Sequence, residues 1–240
     1  MNNAEYTKRI TVTTYDCDRH MNIKMSAVLR HMQEAGEEQL RPLGHDYSEL
    51  FKKNQVFIAT KAAILIHKAP VLKQEIDITT WHRGSKGVQF FRDFAFCDTD
   101  GNIVLESTSS WVLVDSRDGK ILRPNAFDSN LTAQPGRVSG SDSLIKRTAA
   151  PNDMEPVGER TVRYSDIDYN QHMNNTVYAD IVYDFLPDGA QEKLKSFVIG
   201  FERENKLGDT ISVLRKQTEG GIFVQGNNSF GRSFTAQAAI

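Results

Sequence analysis

The chain contains 240 residues, of which 39% are hydrophobic and 25% are charged, and its formal net charge is −2. This length is near the upper limit for one hydrophobic core and is sufficient for two domains of roughly 100 to 150 residues each. The nearly balanced charge argues against general binding to nucleic acid. No apolar run is long enough to span a bilayer or to act as a signal peptide. We therefore expect a cytoplasmic globular protein without a nucleic-acid or membrane partner.

Two cysteines, Cys17 and Cys97, are the thiols of this sequence. Their spacing fits neither a zinc site nor a disulfide framework, and no second His/Cys pair lies near either of them. We expect neither a metal nor another cofactor.

The first half of the chain begins with a strand and a helix. Alternation over residues 8–14 predicts the strand, and apolar residues then recur at the spacing of one helix face, with Asn22 and Ser26 as candidate caps. The residues of this face are Met25, Val28, Leu29 and Met32. Runs rich in branched and aromatic residues follow and predict an antiparallel sheet with short turns. These runs lie at 56–66, 75–81, 87–96 and 103–114.

Residues 124–159 lose this periodicity and collect Pro, Gly, Ser and Asn, which is typical of a linker. The second half then repeats the order in shortened form, with a strand at 161–165 and a helix whose apolar face includes Val177 and Ile181. Further strands are predicted at 196–203, 209–217, 221–226 and in the last residues. One helix against an antiparallel sheet, present twice, indicates an α+β fold.

A seven-residue pattern occurs at 16–22 and again at 168–174, with an offset of 172 − 20 = 152 residues between its histidines. Each copy places a carboxylate four residues before the histidine and an asparagine two residues after it. Each copy also leads directly into a predicted helix. The pattern therefore indicates a duplicated unit with polar groups at a loop-to-helix junction, where reactive groups are often positioned.

The second copy and its surroundings resemble the acyl-acyl carrier protein thioesterases, plant and bacterial hydrolases that end fatty acid biosynthesis. Residues 166–181, DIDYNQHMNNTVYADI, are similar to the family's Asp-x-Asn-Gln-His-x-Asn-Asn-x-x-Tyr signature, and residues 201–204 are similar to its Tyr-Arg-Arg-Glu segment. Family-like stretches at 31–40, 78–94 and 107–120 extend the resemblance over almost the whole chain.

The family's fold is a tandem pair of hotdog domains, each a long helix wrapped by an antiparallel sheet, which agrees with the duplication. The resemblance thus implies an N-terminal hotdog domain at 1–123 that holds the acyl chain. A linker at 124–159 and a C-terminal hotdog domain at 160–240 would follow, and the C-terminal domain would carry the catalytic residues.

The resemblance places the family's catalytic residues on Asp168, Asn170, His172 and Glu204. Hydrolysis of a thioester needs an activated water, stabilisation of the oxyanion and a route for protons to the departing thiol. We assign Glu204 and His172 to water activation. The amide of Asn170 is suited to donate to the thioester carbonyl or to fix the water. Asp168 orients its neighbours through hydrogen bonds. A helix N-terminus near Asn174 would add backbone amides and a positive dipole end.

Two features qualify this assignment. Plant members of the family carry a cysteine directly after the glutamate, where this chain has Asn205, so we expect attack by water and not by a thiolate. In the first copy, the strand region 54–66 contains no acid, so Asp16, Asp18 and His20 are interpreted as structural. Four further histidines have no comparable partners in the sequence and are interpreted as ordinary residues. They are His31, His45, His67 and His82.

Simpler interpretations exist for the second copy as well. Its polar groups could be a capping network of a helix, and Glu204 could form a surface ion pair with a basic neighbour. The functional alternatives are a hotdog hydrolase of coenzyme A thioesters, a non-catalytic acyl-binding protein and, with a poorer match, a dehydratase. The implied partner is acyl carrier protein, which is acidic and would dock on exposed Lys and Arg residues. The sequence does not specify the preferred length and saturation of the acyl chain. It also leaves the oligomeric state open, with a homodimer as one option.

Overall fold

The computed structural model describes residues 4–127, 130–146 and 149–240. Three α-helices lie in this part of the chain: α1 (Met25–Leu40), α2 (Tyr47–Lys52) and α3 (Asn175–Asp184). The strands are β1 (Glu5–Thr11), β2 (Gln55–Ile66), β3 (Glu75–Lys86), β4 (Gln89–Cys97), β5 (Ile103–Asp115), β6 (Glu155–Thr161), β7 (Ser196–Phe201), β8 (Thr210–Thr218), β9 (Gly221–Asn228) and β10 (Gly231–Ala239).

All ten strands belong to one antiparallel sheet in the order β1-β3-β4-β5-β2-β7-β10-β9-β8-β6. The order of the second half mirrors that of the first, because β6 to β10 occupy the positions that correspond to β1 to β5. The halves meet where β2 pairs with β7, for example at Ala63 and Val198. Each half therefore combines one core helix, α1 or α3, with five strands. This architecture confirms the predicted tandem hotdog fold.

The two halves share one hydrophobic core. Residues from α1 and α3 belong to the same buried cluster, and the two helices contact each other. Fully buried aromatic rings from both halves fill this cluster, and each contributes about 1.5–3 kcal/mol by leaving water. The largest are Phe94 and Phe96 on β4, Phe197 on β7 and Phe234 on β10. The core therefore fixes the position of the second helix relative to the first half of the sheet.

The connection between the halves covers part of the opposite face of the sheet. Ile145 packs on Ala63 and Val198 where β2 meets β7, and the Ser141 hydroxyl donates to Thr108 Oγ1 on β5 at 3.0 Å. The last residues of the predicted linker belong to β6, which begins at Glu155. The division of the chain at residues 123 and 160 stays a prediction.

Most elements lie within a few residues of their predicted positions, but the strand at 161–165 was wrong. β6 ends at Thr161, and a 3-10 turn follows at Tyr164–Asp166. The Asp166 carboxylate accepts the N–H of Arg163 at 2.7 Å and closes this turn.

The caps of α1 were also predicted wrongly. Lys24 occupies the N-cap position without a side-chain hydrogen bond, and neither Asn22 nor Ser26 caps the helix. The hydroxyl of Ser26 is buried and has no hydrogen-bond partner in the described part of the chain. In contrast, α3 has a side-chain cap, because Asn174 Oδ1 accepts the N–H of Thr176 at 2.9 Å.

Candidate active site

The loops before α1 and α3 have the same backbone hydrogen bonds, but at an offset of 150 residues. The N–H of Lys24 donates to the Asp16 carbonyl at 2.8 Å, and the N–H of Asn174 donates to the Asp166 carbonyl at 2.9 Å, so the offset is 174 − 24 = 150. The offset of 152 read from the sequence pattern was wrong. The unit is duplicated, but the two seven-residue patterns are shifted by two residues relative to the fold.

This shift changes which residues correspond. The N–H of Asp18 donates to the Asn22 carbonyl at 2.8 Å, and the N–H of Asp168 donates to the His172 carbonyl at 3.0 Å. The counterpart of His172 is therefore Asn22 and not His20. By the same offset, the counterpart of Asn170 is His20.

The position of Glu204 also has a counterpart in the first half. The N–H of Met173 donates to the Asn205 carbonyl at 2.8 Å, and the N–H of Ile23 donates to the Pro70 carbonyl at 2.9 Å. The residues directly before these two carbonyls are Glu204 and Ala69. The first half thus has a methyl group where the second half has a carboxylate.

His172 lies in the loop before α3, and Glu204 lies in the loop that follows β7. Their Nε2 and Oε2 atoms are 3.1 Å apart, and the side chains keep 31% and 54% of their exposure. A carboxylate is only an acceptor, so a hydrogen bond between these two atoms would need the proton on Nε2. The second carboxylate oxygen can then accept a proton from a water molecule. The pair is accessible and can share protons.

Asp168 and Asn170 form the other side of the site. Asp168 Oδ1 accepts the Asn170 N–H at 2.8 Å, and Asn170 Oδ1 accepts the hydroxyl of Tyr47 at 2.6 Å. Burial, together with the charge of Asp168, raises the pKa of Tyr47, so its hydroxyl stays a donor at neutral pH. The donor fixes the amide of Asn170, because the oxygen end must face Tyr47.

Tyr47 was not predicted as a site residue. It lies in α2 of the first half and reaches Asn170 across 123 positions of the chain. One signal was present in the sequence: Asp46 followed by Glu49 is a helix-start pattern, and Asp46 Oδ1 accepts the Glu49 N–H at 3.0 Å. That signal could locate the helix but not its distant partner.

Asn205 holds the loop that carries Glu204. Its side chain is completely buried, and its Nδ2 donates to Tyr178 Oη at 2.9 Å and to the hydroxyl of Ser233. Its Oδ1 accepts from Asn228 Nδ2 at 3.0 Å, and the same Nδ2 lies 3.1 Å from the Glu204 carbonyl oxygen. The asparagine that replaces the plant cysteine is therefore a structural residue beneath the catalytic candidate.

The N-terminus of α3 and an apolar cavity adjoin these groups. Asn175 and Thr176, the first residues of α3, line a small cavity together with Met32 and Gln33 of α1. Met32 and Gln33 also line a larger cavity of about 130 Å³ in the first half. The other residues of that cavity include Tyr47, Leu50, Phe57, Phe90, Trp111, Leu131 and Tyr169. Its wall therefore passes from the partners of Asn170 into the interior between α1 and the sheet.

The first-half junction carries a different pair. His20 Nε2 lies 2.8 Å from Glu192 Oε1, in the 3-10 turn that follows α3. Asp18 Oδ1 accepts the N–H groups of His20 at 2.8 Å and Asn22 at 3.0 Å and so stabilises the turn. This pair spans the two halves as Tyr47 and Asn170 do. Its acid does not come from the position that Glu204 occupies in the second half, because that position is Ala69 in the first half.

Asp16 is a structural carboxylate. Burial alone would raise its pKa, but hydrogen bonds from the Thr13 hydroxyl and N–H, with the charges of His31 and Arg30, lower the pKa of Asp16. His31 Nε2 lies 3.4 Å from Asp16 Oδ1.

The remaining histidines are not all without partners. His67 Nε2 lies 2.9 Å from Glu106 Oε2, and His31 faces Asp16, so the fold gives these two histidines acidic partners that the sequence did not show. His82 lines the large cavity, and burial together with the charge of Arg92 lowers the pKa of His82 to about 4.

The thiols lie outside the candidate site. Cys17 and Cys97 are half-buried, and burial raises the pKa of both. Within the described ranges, no group of three or more His, Cys, Asp or Glu side chains could hold a metal ion. No helix in those ranges has the length and apolar character needed to cross a membrane.

The fold defines a double-hotdog protein. The chain belongs to the acyl-ACP thioesterase family, which confirms the resemblance read from the motifs. The model of the family's N-terminal domain matches residues 3–125, and that of its C-terminal domain matches residues 150–234.

Curated relatives include a palmitoyl-acyl carrier protein thioesterase of Arabidopsis thaliana, 26% identical over 83% of this chain and 52% of the relative. Another is a dodecanoyl-[acyl-carrier-protein] hydrolase of Cinnamomum camphora, 23% identical over 87% of this chain and 58% of the relative. The chain spans about half the length of these relatives.

Two solved structures have the same fold. An acyl-ACP thioesterase from Bacteroides thetaiotaomicron superimposes with a TM-score of 0.80 at 17% identity and covers 98% of this chain and 96% of its own. The 12:0-ACP thioesterase from Umbellularia californica gives a TM-score of 0.79 at 22% identity, with the same coverage of both chains.

Proposed function

We propose that this protein hydrolyses the thioester of a fatty acyl-acyl carrier protein and releases a free fatty acid. The single observation that carries the proposal is the accessible His172–Glu204 pair, which lies beside Asn170 and close to an apolar cavity. The relatives are named as hydrolases and thioesterases of this substrate class, which supports the same reaction here.

The proposed reaction begins with a water molecule at the free oxygen of Glu204. Glu204 accepts a proton from the water as the water attacks the thioester carbonyl. His172, whose Nε2 lies 3.1 Å from the same carboxylate, then relays this proton to the sulfur as the C–S bond breaks and the thiol departs. Attack by water needs no protein nucleophile, which fits the structural role of Asn205.

The developing oxyanion needs hydrogen-bond donors. Asn170, fixed by Tyr47 and by the backbone contact with Asp168, is our candidate side chain. The N-terminus of α3 is the second candidate, since the positive end of its dipole favours negative charge. Asp168 acts as a positioning residue, because its carboxylate accepts from the backbone of Asn170.

The cavity of the first half would hold the acyl chain. It is lined by apolar and aromatic side chains from α1, β2, β4 and β5, as expected for a site that removes an alkyl chain from water. The first half would then bind the chain while the second half supplies the reacting groups. The cytoplasmic location and a homodimer stay predictions.

Hydrolysis of coenzyme A thioesters is the main alternative, because the same residues would serve it. The test is a panel of acyl carrier protein thioesters from octanoyl to stearoyl chains, run beside the matching coenzyme A esters. We expect release of free fatty acid from the carrier-protein series, with a clear chain-length optimum. Faster cleavage of the coenzyme A series would overturn the choice of carrier. Binding without cleavage of either series would indicate an acyl-binding protein.

A further inference from the structure

The loop that follows β7 and the loop that follows β2 have the same backbone design. In the first, Asp209 Oδ2 accepts the N–H of Lys206 at 2.8 Å, and in the second, Gln74 Oε1 accepts the N–H of Val71 at 3.1 Å. In both loops a backbone N–H, that of Gly208 or Lys73, also donates to the carbonyl of the residue directly after the edge strand of its half. The two loops correspond residue by residue.

The charges on the two loops differ although the backbones agree. Three exposed cations lie in the two segments that carry His172 and Glu204, and only one of their first-half counterparts is charged. The corresponding pairs are Arg163 and Thr13, Arg203 and Lys68, and Lys206 and Val71. In the part of the chain that the structure describes, none of the three second-half cations forms a salt bridge. Their charge is therefore available to a partner.

Large apolar side chains stand beside these cations. Tyr164 is 85% exposed, Phe230 is 75% exposed and Leu207 is 58% exposed. Asn228 connects this surface to the active site, because it accepts the N–H of Phe230 at 2.9 Å and contacts the Glu204 carbonyl. We call this surface the basic rim. It consists of Arg163, Tyr164, Arg203, Lys206, Leu207 and Phe230.

We propose that the basic rim is the docking surface for the acidic carrier protein that delivers the thioester. The inference rests on the proposed function, since a thioester borne on a protein must be presented at His172 and Glu204. The carrier's own surface must then contact the residues around that pair. Unpaired cations complement an acidic partner and speed its encounter, while exposed aromatic and aliphatic groups provide contact area.

The test reverses the charge of the rim and of its counterpart. Arg203→Glu combined with Lys206→Glu removes the attraction, and Lys68→Glu is the matched control, because Lys68 occupies the position of Arg203 in the first half. None of these residues touches the reacting groups in the proposed mechanism. Each variant is assayed with an acyl carrier protein thioester and with the matching acyl-pantetheine thioester, a small substrate without a protein surface.

We expect the double variant to lose roughly 10-fold or more in kcat/KM for the carrier-protein substrate, mainly through KM. Its rate on the pantetheine thioester should be unchanged, and Lys68→Glu should behave as wild type with both substrates. Added salt should slow the wild type on the carrier-protein substrate and affect the double variant less. Equal losses in the double variant and Lys68→Glu, or none in either, would overturn the proposal.

Direct binding separates this inference from the proposed function. The affinity of the carrier protein for the wild type and for the double variant is measured by titration calorimetry. If the wild type cleaves no thioester but binds the carrier through the rim, the docking surface stands and the hydrolase assignment falls. If the wild type cleaves carrier-protein thioesters and the double variant binds and reacts equally well, the hydrolase stands and the docking surface falls.

Discussion

The two loop-to-helix junctions of this molecule have one backbone and two sets of side chains. The second-half junction holds Asn170, His172 and Glu204, whereas the first-half junction holds His20, Asn22 and Ala69 at the same positions. Both junctions contain a histidine, but the two histidines differ in position by two residues. The position of Glu204 is occupied by Ala69 in the first half, so a methyl group replaces the carboxylate. The difference shows that a loop of this shape does not by itself make a site.

The largest expected effect comes from removing the second-half histidine. His172→Ala should lower turnover of the thioester substrate by roughly 10² to 10⁴, because a positioned acid–base group contributes that much. His20→Ala should leave turnover within a few fold of wild type. Steady-state kinetics with melting temperatures as a folding control compares the two. Equal loss in both folded variants would contradict a single site in the second half.

Glu204→Gln should be the next most damaging change. It keeps the size and removes the proton acceptor, so kcat should fall by roughly 10² while KM changes little. Glu192→Gln is the matched control, since Glu192 contacts His20 as Glu204 contacts His172. If Glu204 were only a surface ion pair, its loss would cost about 0 to 1 kcal/mol of stability and leave the rate intact. Turnover and melting temperature measured on the same preparations distinguish these outcomes.

A smaller effect is expected where the first half reaches into the site. Tyr47→Phe deletes the hydroxyl that holds Asn170 Oδ1 and removes one hydrogen bond of about 0.5–1.5 kcal/mol. If that bond orients Asn170 in the transition state, kcat should fall about 2- to 10-fold. Tyr15→Phe, at an exposed tyrosine of the first-half junction, serves as control. Unchanged kcat in Tyr47→Phe would remove Tyr47 from the positioning network.

The shared part of the two junctions should affect stability and not rate. Asp16→Asn and Asp166→Asn each weaken the carboxylate that closes the turn, and we expect a loss of roughly 1–3 kcal/mol in the free energy of unfolding for each. The pKa of Asp16 is lowered in the folded protein, so its contribution is full above the unfolded pKa of about 3.9 and disappears as pH falls further. Asp16→Asn should therefore flatten the acid limb of stability against pH. An unchanged acid limb in denaturant titrations would contradict this role.

Much of the fold followed from local patterns. Helix periodicity located α1 and α3, and alternating or β-branched runs located most strands, because those signals arise within a few residues of chain. Two of the residues assigned to catalysis by family resemblance, His172 and Glu204, contact each other in the structure. Tyr47 could not be found this way, since its contact with Asn170 depends on how α2 packs after the sheet has formed.

The wrong offset between the two junctions has a physical cause. Asp16 matches Asp168 in sequence because each precedes a histidine by four residues, but Asp16 is the turn-closing carboxylate whose true counterpart is Asp166. Short polar motifs recur near helix starts for reasons of capping and turn formation. Only the backbone hydrogen bonds reveal which aspartates are equivalent.

The continuous sheet through β2 and β7 has a consequence for how such a protein can change. In a symmetric pair of separate, identical subunits, every substitution appears twice, so an improvement for binding at one site is imposed on its twin. Joining the two units in one polypeptide removes that constraint. Ala69 and Glu204 can then coexist at equivalent points of a single molecule, and the side chains of one unit can change independently of those of the other.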